Sequence, residues 1–308
     1  MPASSKWIDG LAPDSTVEAA ARRSLEPRLV SVVQLLPMAA HLASHDIEHV
    51  HRLRVATRRA TAALKLYRDC LQPRPARWMK RRLRSIRRAA GDARDLDVLA
   101  ERLARDYGEP VAPIVELIAH DREAVQPAIL EVAHQAREDD RFIRKLSKLM
   151  KNVAVKEDES DAAGTSLVPE FGEWAGQRFR QVIDEFNASR PRESAAPPAL
   201  HQFRIGAKAL RYAIELVAPA FGSRQAELRG QLYPLIEELQ ERLGKVQDHV
   251  AAIERCGAWQ IQSRNLAMRE KLAELADAEA RGLANAIRDF WQWWTAERQT
   301  EVDALLKP

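Results

Sequence analysis

Apolar and small residues recur three and four places apart along most of this chain. The clearest run is Val50 to Arg68, VHRLRVATRRATAALKLYR. Val50, Leu53, Thr57, Ala60, Leu64 and Tyr67 fall on one stripe, the spacing of an amphipathic helix with one buried face. The run has no Gly or Pro and is rich in Ala, Leu and Arg, so a helix of about five turns is expected. One position along lies a second stripe: His51, Arg54, Arg58, Thr61, Lys65 and Arg68. It sits about 100° round the helix from the first, at the margin of the core. Arg59 stands beside it. A row of like charges with no acid repels itself, and a negative partner is the expected remedy.

The pattern returns in Leu200 to Val217, LHQFRIGAKALRYAIELV. His201, Arg204 and Lys208 stand where His51, Arg54 and Arg58 stood. Leu200, Phe203, Ala207, Leu210, Ile214 and Val217 form the core stripe. Arg211 occupies the place of Thr61, and Ala209 that of Arg59. The chain is thus an internal repeat of about half its length.

Other segments read the same way. Helices are expected over residues 14–43, starting at Asp14 or Ser15 and limited or kinked by Pro27 and Pro37, and over 77–105. Ser44 to Asp46 caps the key helix, and LQPRP at 71–75 ends it. Further helices run from Pro110 and Pro113 to about Arg137, from a cap at Asp139 or Asp140 to near Val153, and from Pro169 through Phe186. A loop is expected at 187–199. A long helix spans about Arg224 to Glu254, bent at Tyr233-Pro234, and two more meet near Arg281-Gly282. Trp291, Trp293 and Trp294 are expected to close off the core. No strand-like alternation occurs. The fold class is all-α, with two similar bundles of four to five helices. The division is 14–154, an acidic linker at 155–168, and 169–308.

Net charge is +4, but its distribution matters more. Fifteen Lys or Arg and only two acids lie between Val50 and Arg94, so the rest of the chain is net acidic. Such segregation points to a local polyanion site. Apolar runs are too short to cross a membrane, and the N-terminus has no apolar signal core, so the cytoplasm is the expected compartment. Cys70 and Cys256 share no motif. His41, His45 and His49 have i, i+4 spacing, but Ser44 and Asp46 put a helix start between them, which argues against a zinc site. No Gly-rich phosphate loop, nucleophile elbow or HExxH motif is present. No catalytic residue, metal or cofactor is expected.

HRLRVATRRATAAL at His51 and HQFRIGAKALRYAIE at His201 resemble the CHAD domain, the conserved histidine α-helical domain. So do AGDARDLDVL at Ala90 and LGKVQD at Leu243, in which Gly91 and Asp95 correspond to Gly244 and Asp248. The family's usual bases at the positions of Thr61 and Ala209 are missing here. The resemblance implies two pseudo-symmetric helical bundles with a basic central groove, and binding of inorganic polyphosphate without catalysis, with polyphosphate granules as a setting. The groove residues it implies are His51, Arg54, Arg58, Arg59, Lys65, Lys80, Arg84, Arg87, Arg88, His201, Arg204, Lys208 and Arg211. Asp95 and Asp248 are expected to hold the bases in position. Lys80, Arg84, Arg87 and Arg88 extend the basic stretch in the first half only. The matching region near Glu237 to Glu241 is acidic, so the site is expected to be lopsided. Nucleic acid is the weaker alternative, because aromatics are 6% of residues and the basic helices carry few stacking platforms. An acidic protein partner is a third.

Overall fold

The computed structural model describes residues 5–137, 140–154, 169–193 and 195–307. Among them the only extended pairing is an isolated bridge between Thr16 and Glu170, and the rest of the ordered backbone is helical. The helices are α1 (Val17–His41), α2 (Glu48–Leu66), α3 (Pro73–Tyr107), α4 (Ala112–Arg137), α5 (Arg141–Lys151), α6 (Phe171–Ala188), α7 (Pro197–Val217), a single turn α8 (Gln225–Glu227), α9 (Tyr233–Gln262), α10 (Leu266–Trp293) and α11 (Ala296–Leu306). The all-α class is therefore correct.

The key stripe is buried as its spacing requires. Val50, Leu53, Thr57, Ala60 and Tyr67 are fully inaccessible and Leu64 nearly so. In α7 the same holds for Leu200, Phe203, Ala207, Leu210, Ile214 and Val217. Thr16, not Asp14 or Ser15, caps α1, its Oγ1 accepting from Ala19 N at 3.2 Å. Asp46 serves α2 through a 2.9 Å bond from Glu48 N. LQPRP does not end α2, which stops at Leu66 before a 3-10 turn at Arg68–Cys70; Pro73 and Pro75 instead occupy the first turn of α3, where a missing N–H costs nothing. Residues 281–282 do not separate two helices. α10 runs straight through them, and the break falls at Trp294-Thr295.

Packing groups the chain into two compact units. Unit 1 comprises Met1–Asp95, Arg122–Arg180 and Tyr212–Gln225; unit 2 comprises Leu96–Asp121, Gln181–Arg211 and Ala226–Pro308. The boundaries fall inside α3, α4, α6, α7 and α8. The repeat and the packing units are thus different divisions of the chain, since 14–154 and 169–308 each contribute to both. Residues 155–168 lie outside the described residues. In unit 1 the Tyr67 and Trp174 rings stack at 4.9 Å, and Ser24 Oγ donates to Tyr67 Oη at 3.1 Å. In unit 2 Phe203 packs on Phe186 at 5.2 Å and on Trp294 at 5.4 Å. Of the three tryptophans, Trp294 is the buried one; Trp291 and Trp293 are half-exposed.

Candidate functional site

In unit 1 the second stripe of α2 lies at the edge of the core. Arg54 is mostly buried. Its Nη1 donates to the Gly91 carbonyl at 2.6 Å and to Asp95 Oδ1 at 2.9 Å, tying α2 to α3. Gly91 presents bare backbone to that guanidinium: a Cβ there would lie 3.6 Å from Nη1, in ordinary contact. Asp95 thus holds one of the bases in position, as expected. Burial lowers the affinity of Arg54 for its proton, partly offset by Asp95. His51 is exposed at the start of the stripe. Partial burial, with the nearby guanidiniums of Arg94, Arg54 and Arg58, holds its imidazole below the ordinary value against the opposing pull of Glu48.

The α3 face that carries Gly91 and Asp95 also carries Lys80, Arg84, Arg87 and Arg88, by helical spacing. All four are exposed. Neither they nor Arg58 has a carboxylate at pairing distance among the described residues. Lys65 is exposed on α2. From Lys80 to Arg88 the row is about 12 Å long at 1.5 Å per residue. Arg59 is different. Its Nε and Nη2 donate to Glu215 Oε2 and Oε1 at 2.8 and 3.2 Å, and Glu215 is wholly buried. Arg59 is therefore anchored inside unit 1, away from the open row.

In unit 2 the repeated residues are spent on internal contacts. His201 Nδ1 hydrogen-bonds Gln247 Oε1 at 2.5 Å, so this histidine anchors α7 to α9. Arg204 lies against Gly244, whose absent Cβ would sit 3.4 Å from Nη2, and its Nε reaches the Gln240 carbonyl at 3.5 Å. Lys208 is half-buried. Arg211 Nη1 donates to Glu237 Oε1 at 2.8 Å. Glu237 occupies the repeat position of Arg84, so the second copy pairs a cation where the first leaves one open. The same Gly-x-x-x-Asp frame carries opposite electrostatics in the two repeats.

Such a row can hold a flexible anion that has many charges and no required shape. Cations absent from the expected set also appear: Arg94, 3.8 Å from Glu48 beside His51; Arg28 and Arg52, described below; and the α5 run Arg141, Arg144, Lys145, Lys148 and Lys151. The α5 run was legible as charge density, whereas Arg28 gave no sequence signal. His41 ends α1 and His49 opens α2, so the three histidines share no helix. Among the described residues no helix is long and apolar enough to cross a membrane.

Fold and site together define an all-helical protein with a concentrated cationic face on unit 1. The CHAD domain family profile matches residues 33–257, well over half the chain, and the chain belongs to that family. The crystal structure of the CHAD domain from the plant Ricinus communis is similar in fold, with a TM-score of 0.67 at 20% identity, covering 98% of this chain and 95% of that one. PptA from Streptomyces chartreusis is similar with a TM-score of 0.58 at 18% identity, covering 90% of this chain and all of the other. No functionally curated protein matches the sequence.

Proposed function

We propose that this protein binds inorganic polyphosphate along the α2 and α3 face of unit 1 and does not turn it over. The carrying observation is that Arg58, Lys80, Arg84, Arg87 and Arg88 lack carboxylate partners among the described residues, while Arg102, Arg211 and Arg242 elsewhere in the chain have them. Five like charges in two adjacent rows repel one another, and a polyanion relieves that repulsion. Membership of the CHAD family supports the choice of anion. The exposed row carries no aromatic on which bases would stack. The same reading locates the protein in the cytoplasm, at polyphosphate granules.

Titration with long-chain polyphosphate at several salt concentrations tests this. The affinity is expected to fall steeply with salt, because each neutralised phosphate releases a counterion. Single-stranded DNA and an acidic peptide compete in parallel. Salt-insensitive binding, or a preference for DNA at equal charge, would sink the proposal.

The chemistry on this face is binding chemistry. Lys and Arg side chains neutralise phosphate oxygens, and among the described residues no group of three or more His, Cys, Asp or Glu side chains is placed to hold a metal ion. Incubation with polyphosphate, triphosphate or nucleotides plus Mg²⁺ or Mn²⁺ is therefore expected to release no phosphate above the rate without protein. Release that disappears in His51→Ala would show that the protein is an enzyme.

A further inference from the structure

Unit 1 contains a second cationic feature on another side of α2. A cavity of about 150 Å³ lies between α1 and α2. Its lining includes Arg28 and Ser31 from α1 and His51, Arg52 and Arg59 from α2, with Ala56 in its wall. Arg52, Ala56 and Arg59 lie on a different face of α2 from Arg54 and Arg58, so only His51 borders both features.

Three arginines line this cavity and no acidic residue does. Arg28 is 3% exposed, yet its two guanidinium bonds go to neutral carbonyls, Ser24 O and Lys6 O, both at 3.1 Å. The opposite charge it feels most is Glu215, and both oxygens of that carboxylate accept from Arg59. One buried carboxylate therefore serves two guanidiniums, and Arg52 adds a third cation at the mouth. Burial and the charge of Arg59 both work against the protonated form of Arg28, with Glu215 opposing them. A buried charge without full compensation is costly, and an oxyanion in the cavity supplies what is missing.

The cavity opens to solvent and is large enough for one tetrahedral group, with any further groups of a chain left outside its mouth. Arg28 and Arg59 give part of their donors to carbonyls and to Glu215 and so act here mainly through charge, while the Arg52 guanidinium can pair with the oxygens and the Ser31 hydroxyl and the imidazole offer further polar contacts.

We propose that the α1/α2 cavity of unit 1 is a site for a single phosphate group, either free orthophosphate or the terminal group of a chain. A terminal group carries up to one more negative charge than an internal one, which favours it here. The site does not depend on long-chain binding by the α2/α3 face.

Calorimetric titration of the full chain with orthophosphate at low salt tests the site. One saturable phosphate per chain is expected. Arg52→Gln removes the exposed cation, and Ala56→Leu fills the cavity while leaving every charge in place. Each is expected to weaken orthophosphate at least tenfold with the helical circular dichroism retained. Arg28→Met is the direct variant, but it sits in the core, so the decision rests on the other two. Linear tripolyphosphate and cyclic trimetaphosphate then compete. Displacement by the linear form alone assigns chain ends; displacement by neither assigns free phosphate; both results support the pocket. Equal displacement by the ring, which has no end group, would overturn it. So would the absence of saturable orthophosphate binding, or binding unchanged in both variants. Long-chain polyphosphate is titrated on the same wild-type sample. Retained long-chain binding without orthophosphate binding defeats the cavity site alone, and the converse defeats the long-chain reading alone.

Discussion

Reversal of Arg84, Arg87 and Arg88 to glutamate is expected to weaken long-chain polyphosphate binding by at least a hundredfold. The three side chains are exposed on α3 and have no carboxylate partner among the described residues, so no internal contact is lost with them. An exposed charge contact is worth up to about 1 kcal/mol. Three such contacts amount to roughly 3 kcal/mol, or about two decades in affinity, and the new repulsion adds to that. Arg204→Glu with Lys208→Glu is expected to cost less, because the second repeat already places Glu237 and Glu241 where the first places Arg84 and Arg88. A control with equal charge change, Arg264, Arg269 and Lys271 to glutamate, alters exposed cations of unit 2 and is expected to matter little. Equal losses in control and α3 variants would mean that diffuse charge does the binding. Arg54→Glu is a poor probe despite its place in the stripe. It would set a carboxylate against the Gly91 carbonyl and Asp95, so any lost binding would be mixed with lost packing.

The helices were readable because their signal is local. A buried stripe such as Val50, Leu53, Thr57, Ala60, Leu64 and Tyr67 repeats at the helical period, and that periodicity survives whatever the stripe packs against. Ends were less legible. Pro73 reads equally as a stop for α2 or as the first turn of α3, since proline is excluded from a helix interior but welcome at its start. Gly282 reads as a break, yet it sits within α10. A Cβ there would come within 2.8 Å of His249 Nδ1, so the glycine makes room for an imidazole from α9. That reason is tertiary and leaves no trace in the neighbouring sequence. The packing units were illegible for a related reason. A repeat records which segments are alike, whereas units record which segments touch.

The candidate site was legible as charge and not as pairing. The alignment of Lys80, Arg84, Arg87 and Arg88 on one face follows from spacing alone. Asp95 was expected to hold an arginine or a histidine in position, and it holds Arg54. Arg59 looked equivalent to its neighbours, but its partner Glu215 is 156 residues away. Arg28 gave no hint of function, because it is one of three arginines in α1 and reads as a solvated residue. Such long-range ion pairs decide which cations are open to a ligand, and only the fold supplies them.

Replacement of Glu279 by alanine is expected to destabilise the protein by about 3–5 kcal/mol, the range for an ion pair broken in the interior. This carboxylate is wholly buried in unit 2. Arg102 donates to both of its oxygens at 2.9 Å, Tyr107 Oη donates to Oε1 at 2.9 Å, and His249 Nδ1 bonds Oε2 at 2.7 Å. Without it a buried guanidinium and an imidazole lose their common acceptor. Burial alone raises the carboxyl's pKa, but the bonds from His249 and Arg102, the Arg102 charge and the Tyr107 bond outweigh that and bring it from 4.5 to about 2. A group whose folded value is depressed binds more protons in the unfolded chain. Its stabilisation is therefore complete above about pH 4.5 and is lost as pH falls towards 2. The full shift corresponds to roughly 3 kcal/mol at 1.36 kcal/mol per unit. Glu279→Gln keeps the shape and removes the titration. Thermal midpoints of wild type and Glu279→Gln should differ widely at pH 5.5 and by less than half as much at pH 3, with the rest of the gap closing only towards pH 2, because other carboxylates titrate in both proteins and cancel. A gap of the same size at the two pH values would show that Glu279 is held by shape and not by its charge.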